Sequence, residues 1–356
     1  AGLDVEINDF QGGSKSLQAL MGGSADVVAG AYEHTIRMQQ RGQPIVGFAL
    51  IGRGMQISIG LRNDVAAKVK GPADIKGMKF GVTAPGSSTH MLLLNWAAKG
   101  GLKASDVVAI GVGAGATVLA AIEKGEVDGI SQTDPALTML EDKKLIKIMV
   151  DTRTTKGNQE VFGGPFPAAC LYAQPDLLKK TPNTAQALAT GIVRANEWLQ
   201  TATPAEVAAT VPEAYLLGDR AIYEKSFAGI RETISPDGQM PAGAAENCLK
   251  FLAATDPQIK PETVKLDATW TNEFAARAKK LRRPRRRRGL HGRRQHDAAR
   301  RAGRVRVGGR PDRLRQVHVA ERRRRAAGAV VRHGRGVRRA AGRRRRRQPP
   351  RRLHVP

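Results

Sequence analysis

Three turns built from small residues are the segments of this sequence best suited to binding chemistry. The turns are Gln11–Ser14, Ala84–Thr89 and Gly113–Thr117. Each joins an apolar, strand-like run to a helical pattern, so backbone N–H groups and the helix dipole at each turn can hold an anion or a polar head group. Simple N-capping by Ser14, Ser88 and Thr117 is the alternative for any single turn. Three such turns in one chain favour a ligand site.

Polar side chains also follow two other predicted strands. Gly30–Thr35 offers an aromatic ring, a carboxylate and an imidazole after a strand that ends at Ala29, and Gln132–Pro135 follows a strand in the same way. The alternative for the first segment is a helix start with Glu33 in its first turn. Phe162–Phe166 is a Gly/Pro-rich aromatic loop that suits a hinge or a pocket lid. The candidate ligand-binding residues are Gly13, Ser14, Gly30, Ala31, Tyr32, Glu33, His34, Pro85, Gly86, Ser87, Ser88, Gly113, Gly115, Ala116, Gln132, Thr133, Asp134 and Phe162.

Signatures of common enzymes are absent from residues 1–280. This region has no GxSxG, HExxH, CxxC or GxxxxGK[ST] motif, and its two histidines, His34 and His90, lack a second ligand at metal spacing. Cys170 and Cys248 fit no metal or redox spacing and form either a disulfide or two buried thiols. We therefore expect a binding protein that uses no catalytic residue, metal or cofactor.

The elements that must position these residues follow an α/β pattern. Predicted strands are Val5–Phe10, Ala25–Ala29, Ile45–Ile51, Met55–Leu61, Met78–Thr83, Val107–Val112, Val127–Ser131 and Ile146–Val150. Predicted helices between them are Ser14–Met21, Ser88–Lys99, Ala116–Lys124 and Pro135–Lys143, and the pattern from Asn183 to Ala278 is almost wholly helical. Such alternation favours mostly parallel sheets.

One unit of this pattern occurs twice. The segment from Gly13 to Asp26 aligns without gaps on the segment from Gly115 to Asp128. Each contains a glycine turn, a two-turn helix, a glycine stop and a strand entered through Asp. Glycine at helix ends is common in any α/β chain, but the coincidence of Gly, Leu, Ala, Gly and Asp predicts two similar lobes.

Longer motifs carry a family resemblance. GLDVEI, DFQGGSKSLQAL and GGSADVVAGAYEHT come first, PADIKGMKFGVTAPGSSTHMLLLNWAAKGGL and AAIEKGEVDGIS follow, and WTNEFAARAK ends the series. Over residues 2–280 this order resembles the solute-binding proteins of sulfonate/nitrate/taurine-type ABC importers. The resemblance implies a two-lobed type II periplasmic-binding fold that closes on its ligand. The lobes are expected at 1–78 with 166–280 and at 79–165, with Ser14, Tyr32, Ser87, Ser88, Gly115 and Ala116 facing the cleft.

The resemblance also implies a function. We expect a monomeric periplasmic protein that delivers a small anionic or polar organic ligand, such as a sulfonate, nitrate, taurine or a thiamine precursor, to an ABC permease. Tyr32, with Phe162 or Phe166, is expected to pack on the ligand. Family members carry an export signal, a first strand and a first helix before GLDVEI, so we expect either that the sequence is a fragment or that the first lobe lacks that strand and helix. An enzyme of this fold that acts on a pyrimidine-like ring stays an alternative.

The net charge of +27 comes entirely from the end of the chain. Residues 1–280 hold 29 basic and 29 acidic residues, whereas residues 281–356 hold 30 Arg and three acidic residues. We predict a disordered basic tail. A nucleic-acid-binding arm is one interpretation, but the tail has no Lys, Ser or stacking aromatic, so no specific nucleic acid is expected. A frameshift is the other: Arg310–Val319, read one base off, permits GPTGCGKSTL, which resembles the P-loop of an ABC transporter ATPase.

Overall fold

The structure, a computed structural model, describes residues 3–10 and 12–280 and the backbone of residues 305–308. Its strands are β1 (Val5–Asn8), β2 (Val27–Ala31), β3 (Val46–Leu50), β4 (Ile57–Arg62), β5 (Lys79–Val82), β6 (Val108–Gly111), β7 (Gly129–Thr133), β8 (Ile146–Asp151), β9 (Ala169–Ala173) and β10 (Val305–Gly308). They form two five-stranded sheets, with the orders β1-β10-β2-β9-β3 and β6-β5-β7-β4-β8.

Helices connect and cover these sheets. They are α1 (Gly13–Met21), α2 (Glu33–Gln40), α3 (Asn63–Ala66), α4 (Ser88–Lys99), α5 (Ala116–Glu123), α6 (Ala136–Asp142), α7 (Thr155–Phe162), α8 (Pro175–Lys180), α9 (Pro182–Thr201), α10 (Pro204–Thr210), α11 (Arg220–Ile230), α12 (Ala244–Ala253) and α13 (Glu273–Lys280). Side-chain capping bonds define where several of these helices begin. At α10 the Thr203 hydroxyl accepts from the Glu206 N–H while the Glu206 carboxylate accepts from the Thr203 N–H, which is a capping box.

The predicted α/β architecture with mostly parallel sheets is confirmed, since four of the five strands in each sheet run in the same direction. All eight predicted strands are present, with ends within two residues of those expected. However, β4 pairs antiparallel with β7 and β8, and β9 pairs antiparallel with β2 and β3. Strand direction depends on how the chain crosses between sheets, and periodicity along the chain carries no information about that.

The predicted boundary between the lobes, at residues 78 and 79, does not coincide with the point where the chain passes from the first sheet to the second. Strand β4 lies in the second sheet, although that boundary assigned it to the first lobe. The chain leaves the first sheet after β3 and returns to it at β9. The division into lobes at 1–78 with 166–280 and at 79–165 stays a prediction.

The tail contributes one strand to the first sheet. Strand β10 lies between β1 and β2 and is parallel to both, with Val305 opposite Val5 and Val307 opposite Val27. Residues 305–308 therefore differ from the predicted disorder, and they add a strand to the sheet that was expected to lack one. The remainder of 281–356, with its frameshift and nucleic-acid interpretations, lies outside the described residues.

The sequence repeat corresponds to a structural repeat. Strands β2 and β7 both begin and end 102 residues apart, and each follows a short helix, α1 or α5. Each strand is central in its own sheet. The carboxyl ends of β2 and β7 are therefore equivalent positions in the two halves of the protein.

Helix packing on the sheets follows from apolar spacing. In α9 the buried residues Ala185, Ala189, Val193 and Asn196 recur at three- or four-residue intervals, which places them on one face. That face, with Phe274 of α13, covers the first sheet. Apolar residues of α5 and α6 pack with Ile130 of β7 to form the core of the second sheet. Both sheets are thus held by cores that leave their strand ends available to a site.

Candidate functional site

A cavity of about 270 Å³ lies where residues from the two sheets meet. This volume lies just below the usual range for drug-sized ligands, so it suits a small solute. The lining residues are Gly12, Gly13, Gly30, Ala31, Glu33, Met55, Gln56, Ile57, Thr83, Ser87, Ser88, Thr89, Thr133, Asp134, Phe166, Ala168, Ala169 and Ile230.

The first sheet supplies the end of β2 and the start of α2. Gly30 and Ala31 form part of the wall, and a Cβ at Gly30 would lie 2.7 Å from the Tyr172 hydroxyl oxygen, so this position has room for glycine only. Glu33 begins α2, is 1 % exposed and also lines the cavity. The expected helix start and the expected ligand role are therefore compatible, because a helix that begins at a strand end directs its first residues toward the cleft.

The second sheet supplies the equivalent strand end. Thr133 ends β7 and Asp134 follows it, at the positions that the repeat pairs with Ala31 and Tyr32. One carboxylate oxygen of Asp134 accepts hydrogen bonds from the Thr138 N–H at 2.9 Å and the Thr138 hydroxyl at 2.7 Å. The other, Oδ2, has no hydrogen-bond partner among the described residues and lies 3.8 Å from Nη1 of Arg153.

Two of the three predicted turns meet at this site. The Ser14 N–H donates to Ser87 Oγ at 3.1 Å, and Ser14 Oγ donates to the Pro85 carbonyl at 3.0 Å. The Ser88 hydroxyl donates to Oε1 of Glu33. These bonds join α1 and α2 on one side to the start of α4 on the other, and they consume donors that a ligand would otherwise use.

The alternative interpretation of the turns, N-capping by Ser14, Ser88 and Thr117, does not hold. The N-cap residues of α1, α4 and α5 are Gly12, Ser87 and Gly115, and none of them forms a side-chain capping bond in the structure. The serines and threonine lie one or two positions inside their helices, where their hydroxyls contact other segments.

The described lining is acidic. Glu33 and Asp134 are its ionisable residues, and no Lys, Arg or His is among the lining residues that the structure describes. Burial raises the pKa of both carboxyls, while Ser88 opposes this for Glu33 and Thr138 for Asp134. Burial penalises the charged form of each acid, and these hydrogen bonds offset the penalty only in part.

Nearby arginines are already paired with other groups. Arg153 contacts Asp151 at 2.7 Å and Glu141 at 2.6 Å, and these partners raise its pKa although burial opposes them. Arg37 donates to the Gly86 carbonyl at 3.1 Å and lies 3.4 Å from the Asp256 carboxylate. Neither Arg37 nor Arg153 is among the described lining residues of the cavity.

Eight of the predicted site residues line the cavity together, and ten lie elsewhere. The eight are Gly13, Gly30, Ala31, Glu33, Ser87, Ser88, Thr133 and Asp134. Ser14, Pro85 and Gly86 hold the turns together without lining it. Gly113 lines a separate, open cavity of about 680 Å³, whereas Gly115 and Ala116, at the start of α5, line neither. The third turn therefore does not line the 270 Å³ cavity, and its residues Gly113 and Thr117 meet Ala84 and Pro85 of the second turn at the other cavity.

The remaining four predicted residues pack against protein. Tyr32 is fully buried, and its hydroxyl is 2.6 Å from Thr269 Oγ1 while its ring meets Trp270 edge-on. His34 Nδ1 is 3.0 Å from the Tyr172 hydroxyl oxygen. Gln132 donates to the Gly113 carbonyl at 3.0 Å. Phe162 stacks on Phe166 with ring centroids 4.1 Å apart. None of these four is among the described lining residues, and their expected ligand contacts stay a prediction.

Sequence reasoning missed several lining residues. Met55, Gln56 and Ile57 come from the crossing into β4, Thr83 directly precedes the predicted turn Ala84–Thr89, and Ala168, Ala169 and Ile230 come from more distant segments. Phe166, named with Phe162 as a possible wall, is the one that reaches the cavity. Gln56 has a φ of 58°, which is uncommon for a residue other than glycine. No motif marks these positions, because the crossing segments meet only in the folded chain.

The described part of the chain contains neither a metal-binding cluster nor a disulfide. Within it, no group of three or more His, Cys, Asp or Glu residues is arranged to hold a metal ion. Cys170 and Cys248 are buried free thiols, which decides between the two alternatives left open for them. Among the described helices, none has the length and apolar character needed to cross a membrane.

The comparison with protein families agrees with this architecture. The model of the NMT1-like family matches residues 1–212, which is more than half of the chain. The chain belongs to the NMT1-like family. A solved structure of a protein from Bordetella bronchiseptica RB50 is similar to this NMT1-like protein at 52 % identity and a TM-score of 0.77, covering 78 % of this chain and 88 % of the other.

More distant relatives share the fold. The periplasmic aliphatic sulphonate binding protein SsuA from Escherichia coli is 19 % identical, with a TM-score of 0.54 over 81 % of this chain and 84 % of its own. The nitrate/nitrite binding protein NrtA from Nostoc sp. is 26 % identical over 133 residues, which are 37 % of this chain and 28 % of that protein. The chain thus spans under a third of the length of this curated relative. The structural similarity to SsuA confirms the expected α/β fold of periplasmic binding proteins.

Proposed function

We propose that this NMT1-like protein binds a small solute in the 270 Å³ cavity and delivers it to an ABC permease from the periplasm. The observation that carries the proposal is that the equivalent strand ends of β2 and β7 line one cavity together. Polar groups at strand ends converge there, which is where ligands bind in open α/β sheets. The solute-binding relatives of this fold support the same function.

The proposed mechanism is capture and closure without a covalent step. The chain crosses between sheets after β3 and before β9, and bending at those crossings would let the two halves separate. The contacts between Ser14 and Ser87 and between Glu33 and Ser88 would open and re-form with each cycle. The bound solute adds contacts to both halves and so favours the closed form.

A blocking substitution tests the proposal. Thr133→Phe places a ring in the cavity, while Thr201→Phe, at the exposed end of α9, is its control. Thermal unfolding is measured with a panel of small solutes that includes sulfonates, nitrate, amino acids, amidines and pyrimidines. At least one solute should raise the melting temperature of the wild type and of Thr201→Phe but not of Thr133→Phe. Equal shifts in all three proteins, or no shift with any solute, would contradict the proposal.

A further inference from the structure

The charge of the cavity is the opposite of that needed for an anionic solute. Glu33 and Asp134 line it, and no basic side chain is among its described lining residues. Arg153 lies 3.8 Å from Asp134 Oδ2 but contacts Glu141 and Asp151 more closely, and Arg37 lies 3.4 Å from Asp256. An anion in this space would therefore meet two carboxyl groups and no basic side chain among the described lining residues.

Helix starts do not restore an anion site here. The Ser14 N–H at the start of α1 already donates to Ser87 Oγ, and the Ser88 hydroxyl at the start of α4 already donates to Glu33. Glu33 therefore occupies, as part of the protein, the place where the positive end of α4 would otherwise attract a ligand anion. A bound anion would have to displace that carboxyl group.

A buried acceptor remains open at the same cavity. The Asp134 side chain is 5 % exposed, and its Oδ2 has no hydrogen-bond partner among the described residues. A buried carboxylate oxygen without a donor is costly, so a donor from the solute would complete it. Burial disfavours the ionised forms of Asp134 and Glu33, and a positively charged donor beside them would offset that penalty.

We infer that the solute of this cavity is a compact cation whose N–H groups bond Asp134 Oδ2 and Glu33, such as an amidinium or a primary ammonium. The inference rests on the proposed solute-binding function and names its ligand class. The rest of the lining is mainly apolar, with Met55, Ile57 and Phe166 among its members. A cationic head on a small flat or aliphatic body fits this combination, and the volume of about 270 Å³ limits its size.

Four probes with the same ring separate charge from shape. Benzamidine, benzamide, benzoate and benzenesulfonate present a cation, a neutral amide and two anions on one phenyl group. Dissociation constants are measured with the full-length protein at pH 7.5 by calorimetry. We expect benzamidine to bind at least tenfold more tightly than benzoate or benzenesulfonate, with benzamide between them.

Variants assign the preference to the two acids. Asp134→Asn and Glu33→Gln should each weaken benzamidine binding at least tenfold and reduce the discrimination against benzoate, whereas the exposed control Glu262→Gln should change neither. Circular dichroism and melting temperature report whether each variant folds. The wild-type comparison of the four probes needs no variant, so it decides the question even if both fail to fold.

Two results would overturn the inference. One is wild-type binding of benzoate or benzenesulfonate as tight as that of benzamidine, or tighter. The other is no saturable binding of benzamidine. If an anionic solute from the wider panel binds and Thr133→Phe abolishes its binding, the inference fails while the proposed function stands. If no solute depends on Thr133, the proposed function fails as well.

Discussion

His34 should make the stability of the folded protein depend on pH. The ring is 1 % exposed, its Nδ1 lies 3.0 Å from the Tyr172 hydroxyl oxygen, and its Nε2 has no hydrogen-bond partner among the described residues. Burial, and secondarily the positive charge of Arg37, lowers the pKa of His34 from 6.5 to about 3. The folded state thus holds a neutral imidazole at a pH where the unfolded chain takes up a proton.

The sign and size of the effect follow from linkage. Because the folded pKa is depressed, the contribution is complete above pH 6.5 and is lost as pH falls toward 3. With pKa values of 6.5 and about 3, lowering the pH from 7 to 5 should remove about 2 kcal/mol from the free energy of unfolding. A loss of this size is a substantial fraction of the stability of a typical domain.

Urea unfolding followed by tryptophan fluorescence measures this loss. The wild type and His34→Gln are compared at pH 7 and pH 5, and the wild type should lose about 2 kcal/mol more than the variant. Glu33, Asp134 and Asp151 also titrate with shifted pKa values, but both proteins contain them, so their contributions cancel in the difference. Equal losses in the two proteins would show that His34 is not held neutral by burial, and the reasoning would be refuted.

Three further changes test the fold. A Cβ at Gly47 would lie 2.3 Å from a Trp270 ring carbon, so Gly47→Ala should lower the free energy of unfolding in urea by about 1–3 kcal/mol. Gly191 lies in α9, and a Cβ placed there would meet nothing beyond the helix backbone within 4 Å, so Gly191→Ala should raise the free energy of unfolding by about 0.5–1 kcal/mol. Changes of the same sign in the two variants would contradict this reasoning. Thr203→Ala should lose about 1 kcal/mol through its capping box and Thr203→Ser should lose little, so equal losses would contradict the capping role. Removing 281–356 deletes β10, and hydrogen exchange of the β1 amides should then accelerate while that of β3 stays unchanged; unchanged β1 protection would show that β10 does not pair there.

Local patterns along the chain were sufficient to predict the elements. Helix α4 was predicted at its observed bounds. The repeat between Gly13–Asp26 and Gly115–Asp128 leads into β2 and β7, which occupy equivalent places in the two sheets. Apolar periodicity, glycine stops and helix-start residues act over a few neighbouring residues, so they can be read without knowing the fold. The same patterns located the strand ends from which the cavity is built.

Electrostatics of the site required the tertiary structure. The turns at Ser14 and Ser88 predicted positive helix ends for an anion, but Glu33 and Ser87 come from other segments and use those donors. Tyr32 looked equally suited to a ligand, yet its hydroxyl bonds Thr269, far along the chain. A donor is free or occupied according to what the fold brings beside it, and no local pattern records that.

The sequence by itself determined the α/β class, eight of the nine strands before residue 178, the internal repeat and the family. Only the tertiary structure decided the strand β9, the antiparallel directions of β4 and β9, the insertion of Val305–Gly308 between β1 and β2, and the membership of Met55–Ile57 and Phe166 in the cavity. It also decided that the charge of the cavity is acidic. The physical reason is range: element formation depends on neighbouring residues, whereas pairing, burial and charge balance depend on segments that meet only after folding.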